Sequence, residues 1–64
     1  MLAAEQTQRL AHAIRSLTPL QMQFLHLRAE GLRYREIAAI SEVSISTVVD
    51  VIRRAIDRIS KALQ

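Results

Sequence analysis

Four hydroxyl and three guanidinium side chains lie in the last third of the chain. Ser46 and Thr47 can hydrogen-bond to phosphate oxygens, and Arg53 and Arg54 can neutralise phosphate charge. Residues 44–64 carry four basic side chains against two acidic ones, so this segment supplies +2 of the net charge of +3. With a sequence pI near 10.7, these side chains suit a polyanionic partner.

Catalytic and metal-binding chemistry is poorly represented by comparison. The chain has no cysteine, and its two histidines, His12 and His26, fall on different predicted helices, so we expect no metal site. It also has no glycine-rich phosphate loop and no carboxylate pair at a plausible site, and 64 residues leave little volume for a pocket. We therefore expect no enzyme activity, no cofactor and no small-molecule substrate.

The sequence carries no sign of a membrane or a secretory pathway. No uninterrupted apolar run exceeds four residues, as at 37–40, which is far too short to span a membrane. No signal peptide is recognisable, and the lack of cysteine fits a reducing compartment. We expect no membrane partner and a cytoplasmic location.

The composition favours one small all-α domain over residues 1–64. Half of the residues are hydrophobic but only 3% are aromatic, so the core must come from aliphatic packing. One glycine and one proline supply too few turns for a β-sandwich or a barrel. A chain of this length supports a single hydrophobic core.

Two helices are predicted in the first half of the chain. The sequence Thr18-Pro19-Leu20-Gln21 has the form of a capping box and predicts a helix start, and Gly31 predicts the end of that helix. The preceding helix, over about residues 3–16, is predicted from apolar residues at three- and four-residue intervals: Leu10, Ala13, Ile14 and Leu17.

The buried side of the second helix is predicted from the same spacing. Leu20, Phe24 and Leu27 form its expected apolar stripe. Met22 and Leu25 lie off this stripe, and we expect them to pack against the first helix. If they are exposed instead, they would form a docking patch.

The second half predicts a short helix, a polar turn and a long helix. The short helix runs from Tyr34 to Ile40, and Ser44 is the expected N-cap of a fourth helix that begins near Ile45. The apolar side of the fourth helix comprises Ile45, Val48, Ile52, Ala55, Ile56, Ile59 and Leu63, with Val49 and Val51 at its two edges. Its polar side comprises Ser46, Thr47, Asp50, Arg53, Arg54, Asp57, Arg58 and Lys61.

This order of elements is that of a helix-turn-helix, whose second helix is narrow enough to enter the major groove of DNA. The sequence therefore predicts a four-helix bundle of the winged-helix-like DNA-binding class, without a wing. Small helical bundles that bind proteins share the same periodicity, so the pattern alone leaves both functions open.

Particular residues favour one family. Four segments together resemble region 4 of bacterial sigma factors, especially the extracytoplasmic-function group, over about residues 10–63: Leu17-Thr18-Pro19, Glu30-Gly31-Leu32-Arg33-Tyr34-Arg35-Glu36-Ile37-Ala38, Val43-Ser44-Ile45-Ser46-Thr47-Val48 and Arg54-Ala55. The DNA-binding domain of LuxR-type regulators shares the first segment, the Glu-Gly-Leu turn and the Glu-Ile-Ala helix. The helix before Thr18 and the long helix around Arg54 favour the sigma family.

The resemblance implies a function in transcription initiation. The fourth helix would read the promoter element about thirty-five bases upstream of the transcription start, the −35 element, in double-stranded DNA. The opposite side of the domain would dock on core RNA polymerase. The DNA-contacting residues that the resemblance and the side-chain chemistry indicate are Arg33, Tyr34, Arg35, Ser44, Ser46, Thr47, Val49, Asp50, Arg53 and Arg54.

The chain also departs from the family pattern. Val49-Asp50-Val51 stands where extracytoplasmic-function members usually carry Lys-Ser-Arg, which removes two positive charges, adds a negative one and should weaken DNA binding. Glu42 replaces the glycine often found in the turn, and a left-handed backbone there would be strained.

Two alternatives to promoter recognition stay open. One is a LuxR-type domain acting as a dimer on paired sites. The other is a protein-interaction module with weakened DNA binding, for example the target of an anti-sigma factor. An exposed Val49 and Val51 would favour a protein partner, whereas a Val51 packed into the bundle would leave the DNA-reading helix intact. Asp50 with Arg54, and Asp57 with Lys61, could also form only a solvated, charge-paired surface.

Overall fold

A computed structural model describes the backbone of residues 2–64 and the side chains of residues 4–64. The described residues form four helices and no β-strand, which confirms the predicted all-α class. The helices are α1 (Leu2–Arg15), α2 (Pro19–Ala29), α3 (Tyr34–Ser41) and α4 (Ile45–Ala62).

The start of α2 is fixed by the predicted capping box. The Thr18 hydroxyl accepts a hydrogen bond from the Gln21 backbone N–H at 3.1 Å, and the Gln21 side-chain oxygen accepts one from the Thr18 N–H at 2.9 Å. Pro19 follows as the first helical residue, where its missing N–H costs nothing. The reciprocal pair satisfies two backbone donors that a helix start leaves unpaired.

The end of α2 depends on Gly31. The last helical residue is Ala29, two residues before the predicted end, because Gly31 lies outside the helix with φ of 100°. The Leu32 N–H donates to the Leu27 carbonyl at 3.2 Å, and the Gly31 N–H donates to the Arg28 carbonyl at 3.0 Å. This pair of bonds is a Schellman motif, which requires the left-handed residue that glycine supplies without strain.

A left-handed residue also makes the turn between α3 and α4. Glu42 has φ of 57° and ψ of 42°, and the following Val43 N–H donates to the Ala38 carbonyl at 3.1 Å. Glu42 is the single non-glycine residue with positive φ within residues 2–64. The strain anticipated at this position is therefore present.

The core is assembled around α4, which packs against each of the other three helices. Phe24 from α2, Ile37 from α3, and Val48 and Ile52 from α4 are almost completely buried. Three residues outside this cluster are also buried: Ala13 in α1, Leu17 in the turn after α1, and Ala55 in α4.

A polar contact joins α4 to the end of α1. The Arg58 guanidinium donates to the Ser16 carbonyl at 2.8 Å, just beyond the end of α1. Arg58 therefore satisfies a carbonyl at the end of α1 and ties that end to α4.

The predicted stripe of α2 is wrong at Leu20. Its side chain is 45% exposed, whereas Phe24 is buried and Leu27 packs against the core. In the first turn of α2, Gln21 is the residue that lies beside α4, so Leu20 faces solvent. Met22 is also exposed, contrary to its expected packing, while Leu25 does pack against the core.

The predicted apolar side of α4 is covered only in its middle. Val48, Ile52 and Ala55 are buried because the other helices pack against this stretch. The residues at the ends and edge of the apolar side remain about half exposed: Ile45, Ile56 and Leu63.

Replacing the strained residue of the turn should stabilise the fold. We expect Glu42→Gly to raise the free energy of unfolding by about 0.5–1 kcal/mol. Glycine adopts the left-handed conformation without the penalty of about 1–2 kcal/mol that Glu42 carries, but part of this gain is lost because glycine increases the conformational entropy of the unfolded chain. Urea denaturation followed by circular dichroism measures this.

Gly31→Ala supplies the reverse control. A Cβ at this position would meet no atom within 4 Å, so its cost comes from the backbone conformation alone. We expect a loss of about 1–2 kcal/mol. A destabilising Glu42→Gly would contradict the strain assigned to the turn.

Candidate nucleic-acid interface

The side of α4 turned away from the bundle carries the polar residues. Val48, Ile52 and Ala55 are buried, and the residues on the opposite side are exposed. We call this side the outward face; in the first ten residues of the helix it comprises Ser46, Thr47, Asp50, Arg53 and Arg54. The core contacts of α4 therefore fix the direction in which these five side chains project.

Three hydroxyls cluster at the N-terminus of α4. The Ser44 hydroxyl accepts a hydrogen bond from the Thr47 backbone N–H at 3.2 Å, which makes Ser44 the N-cap. Its oxygen also lies 3.1 Å from the Ser46 hydroxyl oxygen and 2.8 Å from that of Thr47. The structure thus gives Ser44 a capping role and leaves Ser46 and Thr47 exposed beside it.

Both predicted ion pairs on α4 form. Arg54 Nε lies 3.2 Å from Asp50 Oδ2, and Lys61 Nζ lies 3.1 Å from Asp57 Oδ2. All four side chains are more than half exposed, so each pair contributes only about 0–1 kcal/mol to stability. Within residues 4–64, the Arg53 guanidinium makes no hydrogen bond or ion pair, so its charge is available to a partner.

The residues at the start of α3 differ in their surroundings. Arg33 and Arg35 are exposed, and the Arg33 backbone N–H donates to Glu36 Oε1 at 2.8 Å. Tyr34 is half-buried against the core, and the Arg28 guanidinium lies 5.2 Å from the centre of its ring. Tyr34 is therefore a packing residue with a cation–π partner, although the resemblance indicated it as a DNA-contacting residue.

A shallow groove brings part of the predicted site together. Tyr34 from α3 and Val49 and Arg53 from α4 line it together with Ile52 and Ile56, and its volume is about 300 Å³. Val49 is half-buried in this groove. Val51 is half-buried on the other edge of α4 and packs against the core, so it widens the apolar side and leaves the outward face intact.

A second groove lies away from the predicted DNA-contacting residues. It is almost wholly apolar, has a volume of about 250 Å³ and is lined by residues of α1, α2 and α4 and of the turn after α1. We call it the apolar groove; its residues are Ile14, Leu17, Met22, Leu25, His26 and Ile59. In the sequence only Met22 and Leu25 signalled it, because Ile14 and Leu17 fit the apolar stripe of the first helix and Ile59 that of the fourth.

Some features are absent from the described part of the chain. Among residues 4–64, no three His, Cys, Asp or Glu side chains lie together in a way that could hold a metal ion. His26 instead pairs with Glu30, with 2.9 Å between Nε2 and Oε1. No helix formed by residues 2–64 is long and apolar enough to cross a membrane.

The fold and the outward face define a helix-turn-helix domain, with α3 as its first helix and α4 as its second. The family model described as sigma-70, region 4 matches residues 7–59. The chain therefore belongs to the sigma-70 region 4 family and is a DNA-binding domain of transcription initiation. Comparisons with curated proteins and with solved structures give no significant match.

Proposed function

We propose that this domain reads the −35 element of a promoter through the outward face of α4. The observation that carries the proposal is the placement of exposed hydroxyls, a carboxylate and two exposed guanidinium groups on one side of the second helix of a helix-turn-helix. In such motifs the N-terminal part of that helix contacts base edges in the major groove. Membership of the sigma-70 region 4 family supports promoter DNA as the ligand.

Phosphate contacts would come from arginines on both helices of the motif. Arg53 and Arg54 are exposed on α4, and Arg33 and Arg35 are exposed at the start of α3. Such contacts position the protein on the duplex, whereas side chains at the base edges determine the sequence. Because Val49 and Val51 stand where relatives usually carry Lys and Arg, and Asp50 adds a negative charge, the domain should depend less on phosphate charge than its relatives do.

The two alternatives receive less support. The family model that matches is that of sigma region 4, which favours one promoter element over the paired sites of a LuxR-type dimer. A module converted to binding an anti-sigma factor would be expected to expose both valines, but Val51 packs against the core.

We further propose that the apolar groove docks on core RNA polymerase. No residue of α3 and no residue of the outward face of α4 lines the apolar groove. DNA and the polymerase could therefore bind to the domain at the same time. Exposed apolar surface of this kind marks protein interaction sites, and Met22 offers a flexible, adaptable contact within it. This function places the protein in the cytoplasm, with the polymerase.

Selection from a library of random duplexes tests DNA reading directly. The purified domain is incubated at low salt, and the retained duplexes are sequenced. We expect one short motif without internal symmetry. A palindromic motif would favour a LuxR-type dimer, and the absence of any enriched motif would contradict DNA reading.

Arg53→Ala should weaken binding to the selected duplex by about 1–3 kcal/mol if the guanidinium contacts a base, and should lower the salt dependence by about one phosphate if it contacts the backbone. Fluorescence anisotropy over a series of salt concentrations measures both. The fold should not change, because Arg53 is exposed.

Arg15→Ala removes the same charge from the end of α1 and serves as the control. We expect its affinity to stay near that of the unmodified domain. If Arg53→Ala bound no more weakly than Arg15→Ala, the outward face would not lie against DNA.

Met22→Asp should reduce binding to purified bacterial core RNA polymerase by about tenfold or more, because it places a charge inside the apolar groove. Binding of a dye-labelled domain to the polymerase measures this, and binding to the selected duplex should not change. Leu20→Asp is the matched control, since Leu20 is equally exposed on α2 but does not line the groove. Equal polymerase affinity of the two variants would refute the docking proposal.

A further inference from the structure

Asp50 is an acid in the middle of the surface that is proposed to meet DNA. Ser46 precedes it by four residues on the same side of α4, and Arg53 and Arg54 follow it by three and four. Its carboxylate is 56% exposed, so burial in the fold does not explain its presence. A lone carboxylate close to two phosphate backbones would be repelled, so Asp50 needs a compensating charge and a donor to contact.

Arg54 supplies the compensating positive charge, and the Asp50 carboxylate can still accept a hydrogen bond from a partner. Arg54 Nε lies 3.2 Å from Asp50 Oδ2, so the two side chains form an ion pair. Within residues 4–64, Asp50 and Arg54 pair with each other and with no other side chain, and a carboxylate and a guanidinium each have more acceptor or donor positions than one contact uses. The outward face therefore presents a net-neutral pair whose exposed carboxylate can still accept hydrogen bonds and whose exposed guanidinium can still donate them.

This arrangement complements one base pair. In the major groove, cytosine presents its N4 amino donor, and the paired guanine presents the O6 and N7 acceptors. Thymine presents an acceptor and a methyl group in that position, and adenine places the N7 acceptor beside its amino group. A carboxylate can accept a hydrogen bond from the cytosine amino group, whereas at adenine it would also face the lone pair of N7 and be repelled by it. Cytosine is therefore the base that a carboxylate fits best.

We propose that Asp50 is a specificity-determining residue that selects cytosine at one position of the DNA site. This inference rests on the proposed reading of DNA by α4 and goes beyond it by naming the base. Arg54 is a positioning residue. Its ion pair with Asp50 orients the Asp50 carboxylate, and its positive charge offsets the repulsion between that carboxylate and the phosphates.

The chain contains a matched control on the same helix. Asp57 and Lys61 form an ion pair with the same spacing, a nearly equal distance and similar exposure. Asp57 lies seven residues further along, about 10 Å at 1.5 Å per residue. It is next to Arg58, which is bound to the end of α1. We therefore expect Asp57 to lie beyond the bases that α4 reads.

The experiment is the random-duplex selection run in parallel on the unmodified domain, Asp50→Asn and Asp57→Asn. We expect cytosine at one position for the unmodified domain, and a change to adenine at that position for Asp50→Asn, because an amide can bond to both N6 and N7 of adenine. Relative to the unmodified domain, the ratio of the affinity of Asp50→Asn for the cytosine duplex to that for the adenine duplex should fall roughly tenfold or more. Asp57→Asn should select the original motif.

The outcomes separate the two proposals. If the unmodified domain enriches no motif, DNA reading and the role of Asp50 both fail. If it enriches a motif that Asp50→Asn reproduces without change, DNA reading stands and the role of Asp50 is overturned. Circular dichroism checks that each variant keeps its helical content.

Arg54→Ala tests the positioning role. We expect its preference for cytosine over the other bases at that position to fall together with its affinity, because the carboxylate loses its bond and its compensating charge. A uniform loss of affinity for all sequences, with the cytosine preference intact, would show that Arg54 contacts phosphate only and would overturn its assigned role.

Discussion

The packing of α4 against the other three helices is the constraint on which the rest of the structure depends. Val48 and Ile52 supply one side of the core cluster, and Phe24 and Ile37 meet them from α2 and α3, while Ala55 is buried further along α4. In so small a domain, one helix must therefore serve as both core and interface. Because its buried side is held at several points, the direction of its outward face is set by the core and not by a loop.

Local hydrogen bonds then determine where each helix begins and ends. The capping box of α2, the Schellman motif at Gly31 and the hydroxyl of Ser44 each satisfy backbone groups that a short helix leaves unpaired. The strained conformation of Glu42 makes the turn that brings α4 across α3, at a cost that the core contacts offset. The same turn places the start of α3 and the groove around Val49 side by side.

Much of this architecture could be predicted from the sequence because caps and periodicity are local. Thr18, Gly31 and Ser44 marked boundaries that agree with the structure to within two residues, and the i, i+4 spacing indicated both ion pairs of α4. The exposure of individual side chains could not be predicted, since it depends on how the helices cross. Leu20 was expected on the buried side of α2, but Gln21 lies beside α4 and Leu20 is exposed. The bond between Arg58 and Ser16 joins residues far apart in the sequence, and only tertiary structure reveals it. Met22 and Leu25 indicated part of the apolar groove, but the residues of α1 and α4 that complete it could not be predicted for the same reason.

Nuclear magnetic resonance of the ¹⁵N-labelled domain, titrated with short random-sequence duplexes at low salt, tests the central claim most directly. If the outward face of α4 meets DNA, the backbone amide shifts should change most over residues 44–54 and at the start of α3, and addition of salt should reverse the changes. Amides around Met22 and Leu25 should keep their positions. Shift changes centred on the apolar groove, or none along the outward face, would contradict the account.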